Sequence, residues 1–402
     1  KQEAAGVAAS VCLQEQTPNS GRSVKKSPIC FPEDRLLCIF AFKNNLSMNL
    51  EKRIKAFIKL GNIIRQYLSE EQTEFKDDRL AMLHQQVQKA AEENPWFTRE
   101  HILEALRSIA TLLNRDHMDQ WIGQYPRLKE EPNPRTIGVV NAGNIPLVGF
   151  HDMLCVLVAG HIYYGKLSSK DIQLPRAIAT ILKETEPGLK HRIILEENHL
   201  RHFDAIIATG SNNTARYFHY YFDPYPHIIR NNRNGVAVLT GRETDDELKK
   251  LAGDALLYFG LGCRNVSKLY IPHDADITRI LDSFSGYEKL MDNPKYANNY
   301  DYHKSIFSIN MIPHYDTGFL LLKEDRQIAS PLSTLHFEKY SNMERVRQDI
   351  DLQSQHIQCV VSHSKDIPDT IPFGEAQHPN LWDYADGIDT LEFLLSLNDR
   401  KA

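Results

Sequence analysis

Thr136-Ile-Gly-Val-Val-Asn-Ala-Gly-Asn-Ile-Pro146, an apolar run after it, and then Ile162-Tyr-Tyr-Gly-Lys-Leu167 decide how the chain is read. Residues 136–140 are a short β-branched run bounded by a polar turn, which is the pattern of a strand. Residues 141–146 form the turn. Pro146 suits the first turn of a helix, where its missing N–H leaves no bond unmade. Leu147, Phe150, Leu154, Leu157 and Val158 then recur at helical spacing, and Gly160 predicts the stop. Residues 162–167 are the next strand. Strand, helix and strand make a βαβ unit, whose crossover is expected to be right-handed.

The same alternation continues downstream. A helix is expected over 175–183 and strands over 192–195 and 204–209. Gly210-Ser211 turns into a helix from 213 to 222, and short strands follow at 227–230 and 236–239. Such alternation predicts an α/β fold with an open, mainly parallel sheet and ligands at its carboxyl edge. The turns at Gly143-Asn144 and Gly210-Ser211 lie at such an edge. Neither GxGxxG nor GxxxxGK[ST] occurs, so the usual phosphate-cradle signatures are absent. A glycine turn into a helix start still has the anion preference of such positions.

Upstream, Leu50, Ile54, Phe57, Ile58, Ile64, Tyr67 and Leu68 mark an amphipathic helix. A second helix is expected over 78–93 and a third, capped by Thr98, through 113. Their apolar stripes read as core or oligomer contacts, and residues 126–134 as a connection.

Further on, the sequence runs Asp254-Ala-Leu-Leu-Tyr-Phe-Gly-Leu-Gly-Cys-Arg-Asn-Val-Ser-Lys-Leu-Tyr270. Thr244 and Glu247 have capping-box spacing, so a helix begins there. Gly260 is where a left-handed residue would end it. Residues 266–271 read as a strand stopped by Pro272. Cys263 therefore sits on a tight helix-to-strand turn between Gly262 and Arg264, and a thiol so placed is a candidate nucleophile. The competing reading is a buried cysteine acting as a small hydrophobe. The helix end opposes a thiolate, and Arg264 is the one adjacent cation that favours it.

Composition narrows the classes. A net charge of −5 gives no electrostatic footprint for nucleic acid. No apolar run reaches the ~20 residues of a membrane span. Six cysteines, at 12, 30, 38, 155, 263 and 359, show neither disulfide framework nor metal spacing. No metal-ligand set is read from the sequence, and a reducing cytoplasm is the expected location. Residues 1–47 lack periodicity. They are expected to be a disordered extension, either an upstream misreading before Met48 or a genuine tail.

Taken in order, Asn144-Ile-Pro146, Ala159-Gly-His-Ile-Tyr-Tyr-Gly-Lys166, Thr209-Gly-Ser211 and Gly262-Cys263 resemble the turns of the aldehyde dehydrogenase superfamily. Residues 141–146 and the ending from Gly374 through Asp386-Gly387 are similar to one branch, the LuxC acyl-CoA reductases of bacterial luminescence systems. The resemblance covers residues 48–398. It implies an aldehyde-dehydrogenase-like α/β fold in three parts. N-terminal helices and a Rossmann-type cofactor domain would occupy 48–235, and an α/β catalytic domain with Cys263 would occupy 236–375. A tail over 376–402 would be available for oligomer contact.

The resemblance also implies a reaction: reduction of a long-chain acyl-CoA thioester to a fatty aldehyde with NADPH. Cys263 would attack the thioester, coenzyme A would leave, and hydride would reduce the acyl-cysteine. Asn144 would donate its side-chain amide to the oxyanion together with the Cys263 N–H. Lys166 would contact the adenosine ribose or its phosphate. Ser169 stands where many NAD-using relatives carry a glutamate, which favours NADPH over NADH, and Lys170 helps. Thr209, Gly210 and Ser211 would face the pyrophosphate or nicotinamide end. Each has a structural alternative: Asn144 a helix cap, Lys166 a solvated lysine, Thr209 a strand end.

Hydrolytic aldehyde dehydrogenases carry a glutamate base before the cysteine. Here that region reads Ile229-Arg-Asn-Asn-Arg-Asn-Gly235, without a carboxylate. Its absence suits a reductase, because water would waste the acyl-enzyme. The source of thiolate formation stays open, with His219, His227 and His273 as candidates. The family also implies homo-oligomers and acyl-transferase and acyl-protein synthetase subunits as partners. Alternatives are a reductase of an acyl-phosphate or acyl-protein, a cysteine acyltransferase or thioesterase, and a non-enzymatic subunit of the same fold.

Overall fold

The computed structural model describes residues 48–69 and 75–399, so the expected extension over 1–47 lies outside the described residues. Four helices come first: α1 (Leu50–Ser69), α2 (Asp78–Glu93), α3 (Arg99–Leu112) and α4 (Arg115–Ile122). Asp77, Thr98 and Asn114 each accept a backbone N–H and start the second, third and fourth. The next elements are β1 (Thr136–Val140), α5 (Phe150–Val158), β2 (Ile162–Lys166), α6 (Gln173–Thr185), β3 (Ile193–Glu196), β4 (Ala205–Thr209), α7 (Asn212–Phe222) and β5 (His227–Arg230). These strands form a parallel sheet in the order β3-β2-β1-β4-β5. The chain leaves β1 in one direction for β2 and β3, then crosses to the other side for β4 and β5. The crevice where this order reverses is the expected ligand position in an open α/β sheet.

The rest comprises β6 (Asn234–Val238), α8 (Asp245–Leu256), β7 (Val266–Pro272), α9 (Ile277–Asp282), α10 (Pro294–Ile309), β8 (Tyr315–Asp316), β9 (Leu321–Glu324), β10 (Thr334–Tyr340), α11 (Met343–Leu352), β11 (Ile357–Val361), β12 (Thr370–Ile371) and α12 (Thr390–Ser396). A second sheet runs β12-β11-β6-β7-β10-β9-β8, parallel except for its last pair. The sequence pattern does not reveal β10, although it lies inside this sheet. His336, Glu338 and Lys339 interrupt its alternation. Two of these are answered locally: buried Lys268 reaches Glu338 at 2.7 Å, and the His336 Nδ1 lies 3.0 Å from the Gln327 carbonyl. The absent apolar period is thus replaced by paired polar groups. Among the described residues no helix is long and apolar enough to cross a membrane.

The last segment returns to the first sheet. Leu381, Leu391, Leu394 and Leu395 are buried in the same core as α1–α3 and α5. Tyr384 accepts the Trp121 indole N–H at 2.7 Å and sits 2.8 Å from the Tyr125 hydroxyl. Arg230, at the end of β5, forms a buried two-point pair with Asp152 of α5 at 2.6 and 2.8 Å and also donates to the Thr390 hydroxyl at 2.9 Å. One guanidinium therefore ties together a strand, a helix and the tail.

Leu394 is fully buried, and its truncation should leave a cavity. Leu394→Ala is expected to lower unfolding free energy by about 2–5 kcal/mol in denaturant titrations.

Candidate active site around Cys263

The loop bearing Cys263 is held on both sides. Helix α8 opens with the expected capping box: the Thr244 hydroxyl accepts the Glu247 N–H at 3.3 Å, and the Glu247 carboxylate accepts the Thr244 N–H at 2.7 Å. The helix ends at Leu256, short of the expected stop at Gly260. Tyr258, Phe259 and Gly260 all take the left-handed conformation, at φ 56°, 59° and 73°. For side chains other than glycine this costs about 1–2 kcal/mol per residue. Ring packing holds the strained pair in place. Phe259 meets His101 at 4.8 Å, Trp96 at 5.3 Å and Tyr296 at 5.7 Å between centroids, and Tyr258 meets His101 at 5.3 Å. The N-terminal helices, to which the sequence assigned no chemistry, therefore position this loop.

Asn265 completes the loop. Its amide nitrogen lies 3.0, 3.2 and 3.0 Å from the carbonyls of Asp254, Ala255 and Leu257, and its oxygen accepts the Gly262 N–H at 2.7 Å. Asp254, also buried, accepts the N–H groups of Gly374 and Ala376 at 2.7 and 2.9 Å. Arg264 donates to the Ala376 carbonyl at 2.6 Å. Burial pushes the Asp254 carboxyl up to about 6, against the pull of those two amides. Neither Asn265 nor Asp254 was singled out from the sequence. The signal for Asp254 was an acid inside an otherwise apolar helix, and Asp152 carries the same signal in α5.

Cys263 is half-buried. Burial raises its thiol above the ordinary cysteine range, the Arg264 charge draws it down, Asp386 raises it, and Arg230 lowers it. The three candidate histidines are not at this loop. His273 follows the carboxyl end of β7, roughly 20 Å of strand from its amino end, where Cys263 lies. His227 begins β5, opposite Ile206, at the amino edge of the first sheet. His219 is paired with Asp223 at 3.1 Å. Arg264 and Arg230 are the cations that favour the thiolate.

Asn144 reaches the loop. Its side-chain amide donates to the Leu261 carbonyl at 2.7 Å, two residues before Cys263. An amide nitrogen carries two hydrogens, so one remains for another acceptor. The helix expected at Pro146 starts only at Phe150, because Leu147 is left-handed at φ 56° and its N–H bonds to Asp171 at 2.8 Å. Asp171 is buried, and burial pushes its carboxyl up to about 7. Asn141 braces the other side of the turn, donating to the Tyr163 hydroxyl at 2.9 Å and to the Lys166 carbonyl at 3.0 Å.

Lys166 and Thr209 end β2 and β4, at the carboxyl edge beside the reversal of strand order. Lys166 is half-buried, which lowers its pKa, with Glu196 acting in the opposite sense. Ser169 is exposed in the turn after β2. Gly143 packs so tightly against Ser168 that a side chain there would strike it, which joins this turn to that of Asn144. Gly210 leaves room for Phe218 and Thr214, each 3.0 Å from where a Cβ would stand. Ser211 caps α7 by accepting the Thr214 N–H at 3.3 Å. A helix start, a close-packed glycine and a lysine at one crevice suit an anionic ligand. A cavity of about 230 Å³ adjoins the cysteine loop, lined by Leu261, Gly262, Asn234, Tyr296, Ser333 and Leu335.

Comparison with solved structures identifies the architecture. Aldehyde dehydrogenase 21 from Physcomitrella patens, in complex with succinate, is 12% identical with a TM-score of 0.60, over 91% of this chain and 88% of that one. An NAD-dependent benzaldehyde dehydrogenase from Corynebacterium glutamicum is 13% identical with a TM-score of 0.58, over 83% and 82%. Proline utilization A from Bradyrhizobium japonicum is 13% identical with a TM-score of 0.59, over 84% of this chain but 39% of that one. The chain thus spans about two-fifths of the proline utilization A proteins it matches. No curated protein matches the sequence. The fold is that of the aldehyde dehydrogenases. The family model described as acyl-CoA reductase (LuxC) matches residues 50–285, and the chain belongs to that family.

Two measurements check this geometry. Alkylation of Cys263, followed by peptide mass mapping with iodoacetamide, should be slow at pH 7 and climb without a plateau through pH 9, because burial favours the thiol. Asp171 has a folded pKa above its unfolded one, so its contribution to stability is full below pH 4 and is lost as pH rises through 7. The whole shift corresponds to up to roughly 4 kcal/mol. The thermal midpoint should therefore fall between pH 5 and pH 8 more steeply in the unmodified protein than in Asp171→Asn.

Proposed function

We propose that the chain reduces a long-chain acyl-CoA thioester to a fatty aldehyde with NADPH, through an acyl group carried on Cys263. The supporting observation is the meeting of two turns: the Asn144 amide on the Leu261 carbonyl brings a side-chain donor to the cysteine loop.

In this reading the Cys263 sulfur attacks the thioester carbonyl. The oxyanion that forms accepts hydrogen bonds from the Asn144 side chain and the Cys263 backbone N–H, donors that act on charge present only after attack. Arg264 and Arg230 stabilise the attacking thiolate against the burial that disfavours it. Collapse of the tetrahedral adduct expels the coenzyme A thiolate and leaves an acyl-cysteine. The same two donors serve the second addition to that carbonyl. Its collapse returns the Cys263 thiolate and frees the aldehyde. Residues 229–235 place no carboxylate to activate water, which protects the acyl-cysteine.

The carboxyl edge of the first sheet fits a nicotinamide dinucleotide: the Gly210 turn and Ser211 at the start of α7 would take the pyrophosphate, and Thr209 would lie beside them. Lys166 would meet the adenosine ribose. Ser169 and Lys170 would accept a 2′-phosphate without a repelling carboxylate, which favours NADPH. When bound, the cofactor supplies the hydride. Cytoplasmic location, homo-oligomers and docking to acyl-transferase and acyl-protein synthetase subunits belong to the same proposal.

Absorbance loss of NADPH with a panel of acyl-CoA thioesters tests it. Consumption should depend on the thioester, vanish in Cys263→Ala and fall about 100–1000-fold in Asn144→Ala. Thioester cleavage with no NADPH consumption would instead identify an acyltransferase or thioesterase.

A further inference from the structure

Residues 219–227 read His-Tyr-Tyr-Phe-Asp-Pro-Tyr-Pro-His, so His219, Asp223 and His227 are equally spaced by four. On a continuous helix such residues would spread over about 12 Å of axis. Here α7 stops at Phe222, the Asp223-Pro-Tyr-Pro226 turn reverses the chain, and His227 opens β5. One donor atom from each of the three side chains then lies within 4.8 Å of the other two. We propose that His219, Asp223 and His227 form a binding site for one divalent cation of the zinc class, clipping the end of α7 to the start of β5.

Three features carry this beyond a surface ion pair. The His219 Nδ1 is 3.1 Å and the His227 Nε2 is 3.8 Å from the same Asp223 oxygen, and the two rings stand edge-to-face at 5.8 Å. His227 Nδ1 lies 2.9 Å from the Tyr225 carbonyl, which fixes the proton on that nitrogen and leaves the Nε2 lone pair facing Asp223. A metal-ligating histidine is commonly oriented by such a bond to its other nitrogen. Finally, the donors stand on rigid parts: a helix end whose Asp223 N–H bonds to the His219 carbonyl, a turn with two prolines, and the first residue of a paired strand.

The donor set selects the ion. Two imidazoles and one carboxylate suit Zn²⁺, Co²⁺ or Ni²⁺, whereas Mg²⁺ and Ca²⁺ require oxygen ligands. With three protein donors, a fourth position is left to solvent. The site is remote from the proposed chemistry. It lies at the amino edge of the first sheet, and Ser211 is at the other end of α7, about 16 Å away. Its role is to fasten, and it does not depend on the proposed reaction.

Isothermal titration of the untagged full chain with Zn²⁺ and with Co²⁺ tests the site, against His219→Gln and His227→Ala. The expected result is one ion bound and a raised thermal midpoint. The Co²⁺ complex should lack a sulfur-to-cobalt charge-transfer band, which excludes the cysteines. Affinity should fall at least tenfold in each variant, with Mg²⁺ giving no heat. His219 is half-exposed on the helix surface, so His219→Gln keeps the fold even if His227→Ala disturbs the strand. Undiminished binding in His219→Gln, a sulfur band, or no binding by the unmodified chain would overturn the proposal.

Discussion

The geometry of the site depends on one requirement: a helix must end, and a strand begin, within nine residues, without leaving buried backbone groups unpaired. Asn265 meets it. The two hydrogens of its side-chain amide are shared among three carbonyls at the end of α8, and its oxygen accepts one N–H of the cysteine loop. Buried carbonyls left unanswered would each incur a desolvation penalty of about 1–3 kcal/mol. With them satisfied, Tyr258 and Phe259 can hold a conformation that side chains ordinarily avoid, and Cys263 is delivered at the amino end of β7. The strain is offset by rings from α3 and α10 and from the segment after α2.

A second consequence is that the site is assembled from distant parts of the chain. The Asn144 turn comes from the first sheet, the cysteine loop from the second, and the 374–376 segment from near the end. Buried carboxylates join them: Asp171 holds the first turn, Asp254 the last segment, and Asp152 anchors Arg230. Each is an acid in apolar surroundings: the Arg230 guanidinium answers Asp152, two backbone amides answer Asp254 and one answers Asp171, and burial pushes the last two carboxyls towards their neutral form.

Much of the first sheet was legible because its strands are short β-branched runs between turns, and 136–140 and 227–230 match the observed strands residue for residue. The cysteine turn was legible for the same reason: a capping box, a glycine pair and a strand lie in register with one another. What was not legible follows from tertiary override. Helix α5 starts late because Asp171 captures the Leu147 N–H, a partner 24 residues away. Strand β10 was hidden by polar residues whose partners lie on neighbouring segments. His227 and His273 are kept from the cysteine loop by strand direction, and His219 lies at the end of α7 beside His227, a placement that spacing alone does not reveal.

The tail has a meaning for how the molecule is made. Leu381, Leu391, Leu394 and Leu395 follow the whole second sheet in sequence yet complete the core of the first. A ribosome releases the early helices and strands long before these side chains exist. The first half therefore waits, with an apolar face open, until the last segment emerges. Loop closure over such a separation is slow, and exposed apolar surface invites aggregation in the interval. This architecture makes the nascent chain, more than the finished protein, the state in need of a chaperone.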